Sequence, residues 1–321
     1  MRILVTGGAG FIGSHLCERL ISDGHTVTAI DNFSTGRASN LSDLQGSNSF
    51  TLVEGSILDV NVLKPLIENT DYVFHLAAAV GVFNIVNNPL ASLLTNIRGT
   101  ENVLEAAHAT KTPVFLTSSS EVYGKNISDS LRESDDRILG SPVTLRWSYS
   151  EAKAIDESLA YAYFIEKQLE TRIVRFFNTV GPRQLGAYGM VVPRFVKAAL
   201  TNEPITIYGD GNQTRCFAHV YDVVDAVIAI AFADNTIGKV INIGNDFEIS
   251  INGLARKIIE ETASKSEIVY VPYAEAYGDG FEDMERRVPN IDLINQLVGW
   301  KPKRDLSTMI ADISVEMKKG S

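Results

Sequence analysis

Tyr149 and Lys153 stand four residues apart, a spacing that puts a phenol and an ammonium on one face of a helix. A phenol ordinarily titrates near about 10, so acting as a base near neutrality needs about 4 kcal/mol of help. The ammonium of Lys153 favours the phenolate, and a positively charged ring beside it would add to the effect. Such a tyrosine takes the proton of an alcohol, with an oxidant placed next to it. The start of the chain offers a place for the oxidant. A strand at 3–6 runs into Gly7-Gly8-Ala9-Gly10-Phe11-Ile12-Gly13, and the apolar spacing of Phe11, Ile12, His15, Leu16 and Leu20 predicts a helix. A second apolar run, 26–30, ends on Asp31. This is the dinucleotide-binding turn: Gly7, Gly10 and Gly13 let the backbone approach a pyrophosphate, which the unpaired N–H groups of the helix N-terminus face. Asp31 is placed to accept hydrogen bonds from ribose hydroxyls and to repel a 2′-phosphate, so NAD is expected over NADP. Arg37 keeps the phosphorylated cofactor in view, because an arginine there contacts adenine or accepts a phosphate.

Composition agrees with a soluble enzyme and narrows its partners. The chain has 321 residues, 45% hydrophobic and 21% charged, with a net charge of −10. That charge predicts no general affinity for nucleic acid or anionic membranes, so an anionic ligand must meet local arginines. No apolar run is long enough to span a bilayer. The N-terminus reads as a strand the fold needs rather than a signal peptide, which points to the cytoplasm. Cys17 and Cys216 suggest no disulfide framework, and Cys17 reads as a buried thiol of the first helix. No metal site is expected.

Strands and helices alternate through the first half, the pattern of a doubly wound parallel sheet. Strands are predicted at 3–6, 26–30, 50–54, 72–76, 114–118 and 172–177, with helices at 13–22, 60–68, 89–109 and 150–168. The polar stretch 32–49 reads as a loop and short helix. Beyond Asn178 the predicted elements are helices at 194–200, 221–233, 251–262 and 307–318 and strands at 205–208 and 240–243, the last possibly rejoining the main sheet. Two domains are expected: a Rossmann domain over 1–180 and a smaller α/β substrate domain over 181–321, with segments crossing back. The acidic, glycine-bearing stretch from Tyr273 to Arg287 reads as a mobile loop able to close over a ligand.

With these residues in view, the whole chain resembles the extended short-chain dehydrogenase/reductases, the NAD-dependent nucleotide-sugar epimerases, dehydratases and decarboxylases. The resemblance rests on the glycine turn, Asp31-Asn32-Phe33-Ser34-Thr35-Gly36-Arg37, His75-Leu76-Ala77-Ala78, Thr117–Gly124 and the Tyr149/Lys153 pair. It continues through Phe177-Asn178-Thr179-Val180-Gly181-Pro182-Arg183, Tyr208-Gly209-Asp210-Gly211 with Gln213-Thr214-Arg215, and Leu297–Pro302. It implies that Phe11, Ile12, Asn32, Ser34, Thr35, Gly36, Ser56, Ile57, Leu76, Ala77, Ala78 and Asn96 join the glycines, Asp31 and Arg37 at the cofactor. Ser56 stands where relatives often carry an aspartate at the adenine. Asn178, Val192, Arg194, Tyr208, Arg215 and Arg287 are implied for the UDP-sugar, and the helices 89–109 and 150–168 for a homodimer.

The reaction is implied by fewer positions. Ser119 matches the serine or threonine that hydrogen-bonds the reacting hydroxyl. The 4,6-dehydratases carry Asp-Glu where this chain has Ser120-Glu121, so dehydration is disfavoured. The Ser-Glu pair, Arg146-Trp147-Ser148-Tyr149 and the Tyr277–Phe281 stretch followed by Arg286–Asn290 are similar to UDP-glucuronate decarboxylases. In those enzymes Pro-x-x-Tyr follows the His-Leu-Ala-Ala segment; here Val82 and Ile85 stand there, and Val80-Gly81-Val82 is closer to some uronate 4-epimerases. Once C4 of a uronate is oxidised, its carboxylate is β to a ketone and leaves as carbon dioxide. The enzyme then has to stabilise an enolate and deliver a proton to C5. Ser120, Glu121 and Arg287 are the candidates. Decarboxylation to UDP-xylose or its 4-keto form is the first expectation and 4-epimerisation of a UDP-sugar the alternative. A binding protein without turnover is disfavoured by the intact Ser119/Tyr149/Lys153 set.

Overall fold

The structure is a computed structural model that describes all residues except 82–84, 86, 187–189, 273–274, 276–283, 285 and 320–321. From the N-terminus the chain runs β1 (Arg2–Thr6), α1 (Phe11–Ser22), β2 (Thr26–Asp31), β3 (Phe50–Glu54), α2 (Val60–Glu68), β4 (Tyr72–His75), α3 (Pro89–Thr110), β5 (Val114–Ser119), α4 (Ser148–Lys167) and β6 (Thr171–Phe176). It continues through β7 (Thr179–Val180), α5 (Val191–Thr201), β8 (Ile205–Tyr208), β9 (Thr214–Cys216), β10 (Ala218–His219), α6 (Val220–Ala231), β11 (Val240–Ile243), β12 (Glu248–Ser250), α7 (Ile251–Glu261), β13 (Ile268–Val271), α8 (Asp292–Val298) and α9 (Leu306–Lys319).

Seven strands in the order β3-β2-β1-β4-β5-β6-β11 form one parallel sheet. A parallel sheet covered on both faces needs strands that are apolar on both, and β1 supplies Ile3, Leu4 and Val5, all buried. Ile3 and Val5 join the core shared with Leu16 and Leu20 of α1 and Val224 and Val227 of α6. Leu4 points the other way, to Leu63 of α2, Val103 and Leu104 of α3 and Ala160 of α4. The order reverses between β1 and β4, so the loops leaving their carboxyl ends diverge and open a crevice.

The strand 240–243 does rejoin the main sheet, pairing in parallel from Val240↔Ile173 to Ile243↔Phe176. A separate apolar core joins Phe195 and Val196 of α5, Ile205 and Ile207 of β8, Leu254 and Ile258 of α7 and Ile310 and Ile313 of α9. There β8 pairs in parallel with β13, a strand the sequence reading left unassigned. The expected closing loop at 273–287 lies mostly outside the described residues, as do Val82 and Tyr277–Phe281. Its far end is fixed: Leu131 N donates to Val288 O at 2.8 Å, and Asn290 N to Leu131 O at 2.8 Å.

Candidate active site

The crevice at the carboxyl ends of the strands is a cavity of about 500 Å³ running from the glycine turn to the second apolar core. Gly7 has φ +71, and a Cβ on it would sit 2.8 Å from Ala77 N. A Cβ on Gly13 would sit 2.2 Å from Gly7 O. Only glycine allows this close approach of turn and helix. Gly10 caps α1 without a side-chain hydrogen bond, and no acidic residue stands in the first turn. The N–H groups there are left to face an anion.

Asp31, buried at the end of β2, accepts from Ala9 N at 2.9 Å and Phe33 N at 2.8 Å. Burial raises its pKa, and these two N–H groups work against that rise. Its position suits ribose hydroxyls. Gly7, Gly10, Phe11, Ile12, Gly13, Asp31, Asn32, Ser34, Thr35, Ser56, Ile57, Leu76, Ala77 and Ala78 all line the cavity, so its donors and shape fit a dinucleotide. Three further residues expected at the cofactor, Gly36, Arg37 and Asn96, stand next to this lining rather than in it. Gly36 is needed because a Cβ would meet Asp31 Oδ2 at 2.9 Å. Arg37 is exposed and touches the turn only through its backbone, N donating to Ala9 O at 3.0 Å. Asn96 accepts from Ala79 N at 2.7 Å and donates to Ala79 O at 3.2 Å, which fixes the backbone beside Leu76–Ala78.

The first turns of α4 bring Tyr149 and Lys153 to the middle of the cavity, opposite Ser119 at the end of β5. Ser119 lies near the Tyr149 phenol and helps to lower its pKa. Lys153 is buried and donates to Thr117 O at 3.1 Å and to Asp156 Oδ2 at 3.2 Å. Burial pushes the phenol's pKa up, Lys153 pulls it down, and Glu121 and Asp156 push it up again; the net direction is upward. Lys153 pulls in the expected direction but burial outweighs it in the protein alone, and a cationic ring would add to its pull. His75 contacts Thr6 (Nδ1 to Oγ1, 2.7 Å) and Thr100 (Nε2 to Oγ1, 3.1 Å), and burial lowers its pKa to about 3, so it stays neutral.

Glu121 is the second residue of the 3₁₀ turn Ser120–Tyr123, capped by Ser119 Oγ, which accepts from Glu121 N at 3.2 Å. Its carboxylate accepts from Arg146 Nη1 and from Arg287 Nη1, each at 2.6 Å. Burial alone would raise its pKa, but the two guanidiniums outweigh that and hold it well below the usual carboxylate range. Glu121 is therefore held as the carboxylate. Arg287 Nη2 also donates to Asn178 Oδ1 at 3.1 Å, and Asn178 Nδ2 to Cys216 O at 3.0 Å. Arg287 Nε is buried with no hydrogen bond among the described residues. Ser120 is buried and also lines the cavity.

Toward the second core the wall carries Val192, Arg194, Tyr208 and Arg215. Arg194 stacks over the Tyr208 ring at 4.2 Å and donates to Thr206 O at 3.0 Å. Arg215, buried on β9, donates to Thr214 O at 2.8 Å. Arg146 was noted in sequence only as part of a motif, and its contact with Glu121 was not foreseen. Asp156 carried no local signal beyond lying one turn after Lys153.

A family model described as the NAD dependent epimerase/dehydratase family matches residues 3–244. The chain belongs to this family of extended short-chain dehydrogenase/reductases, and it is an enzyme. A UDP-N-acetyl-alpha-D-glucosaminuronate decarboxylase of Bacillus cytotoxicus is 42% identical over 302 residues, covering 94% of this chain and 92% of the relative. UDP-glucuronic acid decarboxylase 1 of Xenopus tropicalis is 38% identical, over 94% of this chain and 68% of the relative. Among solved structures, a UDP-glucuronic acid 4-epimerase from Bacillus cereus in complex with UDP-glucuronic acid and NAD superposes with a TM-score of 0.90 at 29% identity, covering 100% of both chains.

Proposed function

We propose that this protein is an NAD-dependent UDP-uronate decarboxylase acting on UDP-glucuronate, oxidising C4 and releasing the C6 carboxylate as carbon dioxide. The observation that carries this reading is Arg287, buried in the same cavity as Tyr149 and held there by Glu121 and Asn178. An arginine fork fits a uronate carboxylate, a group that a neutral hexose lacks. The decarboxylase relatives support the same choice.

NAD+ held by the glycine turn and Asp31 supplies the oxidant for C4. Tyr149 takes the proton of the C4 hydroxyl, and Ser119 orients that hydroxyl. The new ketone lies β to the carboxylate, and the C5–C6 electrons pass into it as carbon dioxide leaves. Arg287 stabilises the negative charge as it moves from carboxylate to enolate. With Glu121 ionised, Ser120 is left as the candidate for passing a proton to C5. The diphosphate is assigned to Asn178, Arg194 and Arg215, with Val192 and Tyr208 along the nucleotide.

A 4-epimerase of a UDP-uronate is the second reading, supported by the superposition on the Bacillus cereus enzyme. We assign the protein to the cytoplasm, and a homodimer through α3 and α4, where Leu90, Ile155, Tyr161 and Ile165 are exposed. Among the described residues no helix is long and apolar enough to cross a membrane. The test is to incubate the holoenzyme with UDP-glucuronate, and separately with UDP-N-acetylglucosaminuronate, and follow products by NMR. A UDP-pentose from UDP-glucuronate supports decarboxylation of that substrate. An amino-sugar product alone moves the substrate to the N-acetylated uronate, and UDP-galacturonate supports the 4-epimerase.

A further inference from the structure

Asp156 is an acid the reaction above leaves unused, and it has no exposure to solvent. It lies on α4 one turn beyond Lys153, and its Oδ2 accepts from Lys153 Nζ at 3.2 Å. Lys153 has three N–H donors, of which Asp156 and Thr117 O occupy two. Only one is left for the phenol or a ribose hydroxyl. An ion pair at this depth is screened little by water, so its charges act strongly on near neighbours.

We propose that Asp156 is a positioning residue that holds the Lys153 ammonium against α4 and sets the pH at which Tyr149 becomes a base. The charged and titratable groups around it are accounted for from each packed element. Lys153, Tyr149 and Glu157 share its helix. Thr100 of α3 lies nearby, and His75 of β4, neutral, contacts its hydroxyl; Asp156 Oδ1 is buried with no hydrogen-bond partner among the described residues. Glu157 is spoken for: it accepts from Arg175 of β6 at 2.9 and 2.7 Å and from Ser118 of β5 at 2.5 Å. Glu121 faces the phenol from the far side, already bound to two arginines. Asp156 is the one carboxylate directly paired with Lys153 among the described residues. Its negative charge opposes the phenolate and cancels part of what the ammonium gives. The pairing also fixes the ammonium, so the lysine's reach toward the phenol is set by Asp156.

This rests on the redox reading of Tyr149 but not on which sugar is turned over. The test is a spectrophotometric titration of the NAD+-loaded protein without substrate, read as the difference between parent and Tyr149→Phe near 295 nm, and repeated in an Asp156→Asn background. Removing one buried charge several ångströms away should lower the phenol's midpoint by about one to two pH units. Asp156→Ser, which removes the same charge and keeps a small acceptor near Lys153, should shift it in the same direction. It serves as the second variant if Asp156→Asn does not fold. An unchanged midpoint in a folded, NAD-binding variant overturns the proposal. If no phenol signal is lost in Tyr149→Phe at any pH, the reading of Tyr149 as base fails instead.

Discussion

At the residue scale, charge decides what each group does. Glu121 stays ionised throughout any working pH because two guanidiniums hold it down. It therefore contributes no limb to a pH–rate profile. Tyr149 does: it works as the phenolate, its pKa is raised by the protein, and activity must rise with pH as the phenol ionises. Measuring kcat against pH in the holoenzyme should show a single acidic limb, with Tyr149→Phe lowering kcat by about 10²- to 10⁴-fold. Glu121→Gln leaves NAD binding intact, checked by cofactor retention on gel filtration. It removes the anion that aligns Arg146 with Arg287, and kcat for carbon dioxide release should fall by about 10²-fold or more. Tyr149, Lys153, Ser119, Glu121 and Arg287 were legible in the sequence because motif and spacing mark them. Asp156 and Glu157 were not, because two adjacent acids on a helix look like a solvated face until the packing buries them.

At the element scale, α4 is the part that must not move. It carries Tyr149 and Lys153, and Glu157 ties it to β5 through Ser118 and to β6 through Arg175. Glu157 and Arg175 are both buried, so removing one partner strands a charge. Glu157→Ala should destabilise the fold by about 3 to 5 kcal/mol, read from denaturant unfolding. The seven-stranded sheet was legible because its strands are runs of four to six residues separated by helical patterns. The pairs β7–β10 and β9–β12 were not, because strands of two or three residues show no periodicity. β13 was missed because only its pairing with β8 distinguishes it from loop.

At the scale of the whole molecule, one sheet and a second apolar core line opposite ends of one cavity. The glycine turn on β1–α1 lines the end proposed for the dinucleotide, and β8, β9 and α5 the end proposed for the nucleotide sugar. Neither end touches the outer faces of α3 and α4, where Leu90, Ile155, Tyr161 and Ile165 leave apolar surface exposed. Unpartnered apolar helix faces are a common site of self-association. Ile165→Asp should shift the protein from dimer to monomer in sedimentation, with NAD affinity unchanged. A parent that sediments as a monomer at micromolar concentration removes the dimer.

The most direct measurement follows the fate of one carbon. Holoenzyme is mixed with UDP-glucuronate labelled with ¹³C at C6, and the label is followed by NMR in a sealed tube. Labelled carbon dioxide and bicarbonate appearing in step with an unlabelled UDP-pentose, and absent with Tyr149→Phe, is the expected result. Label that remains in a hexuronate while UDP-glucuronate is consumed, or label released equally by Tyr149→Phe, contradicts the decarboxylase assignment.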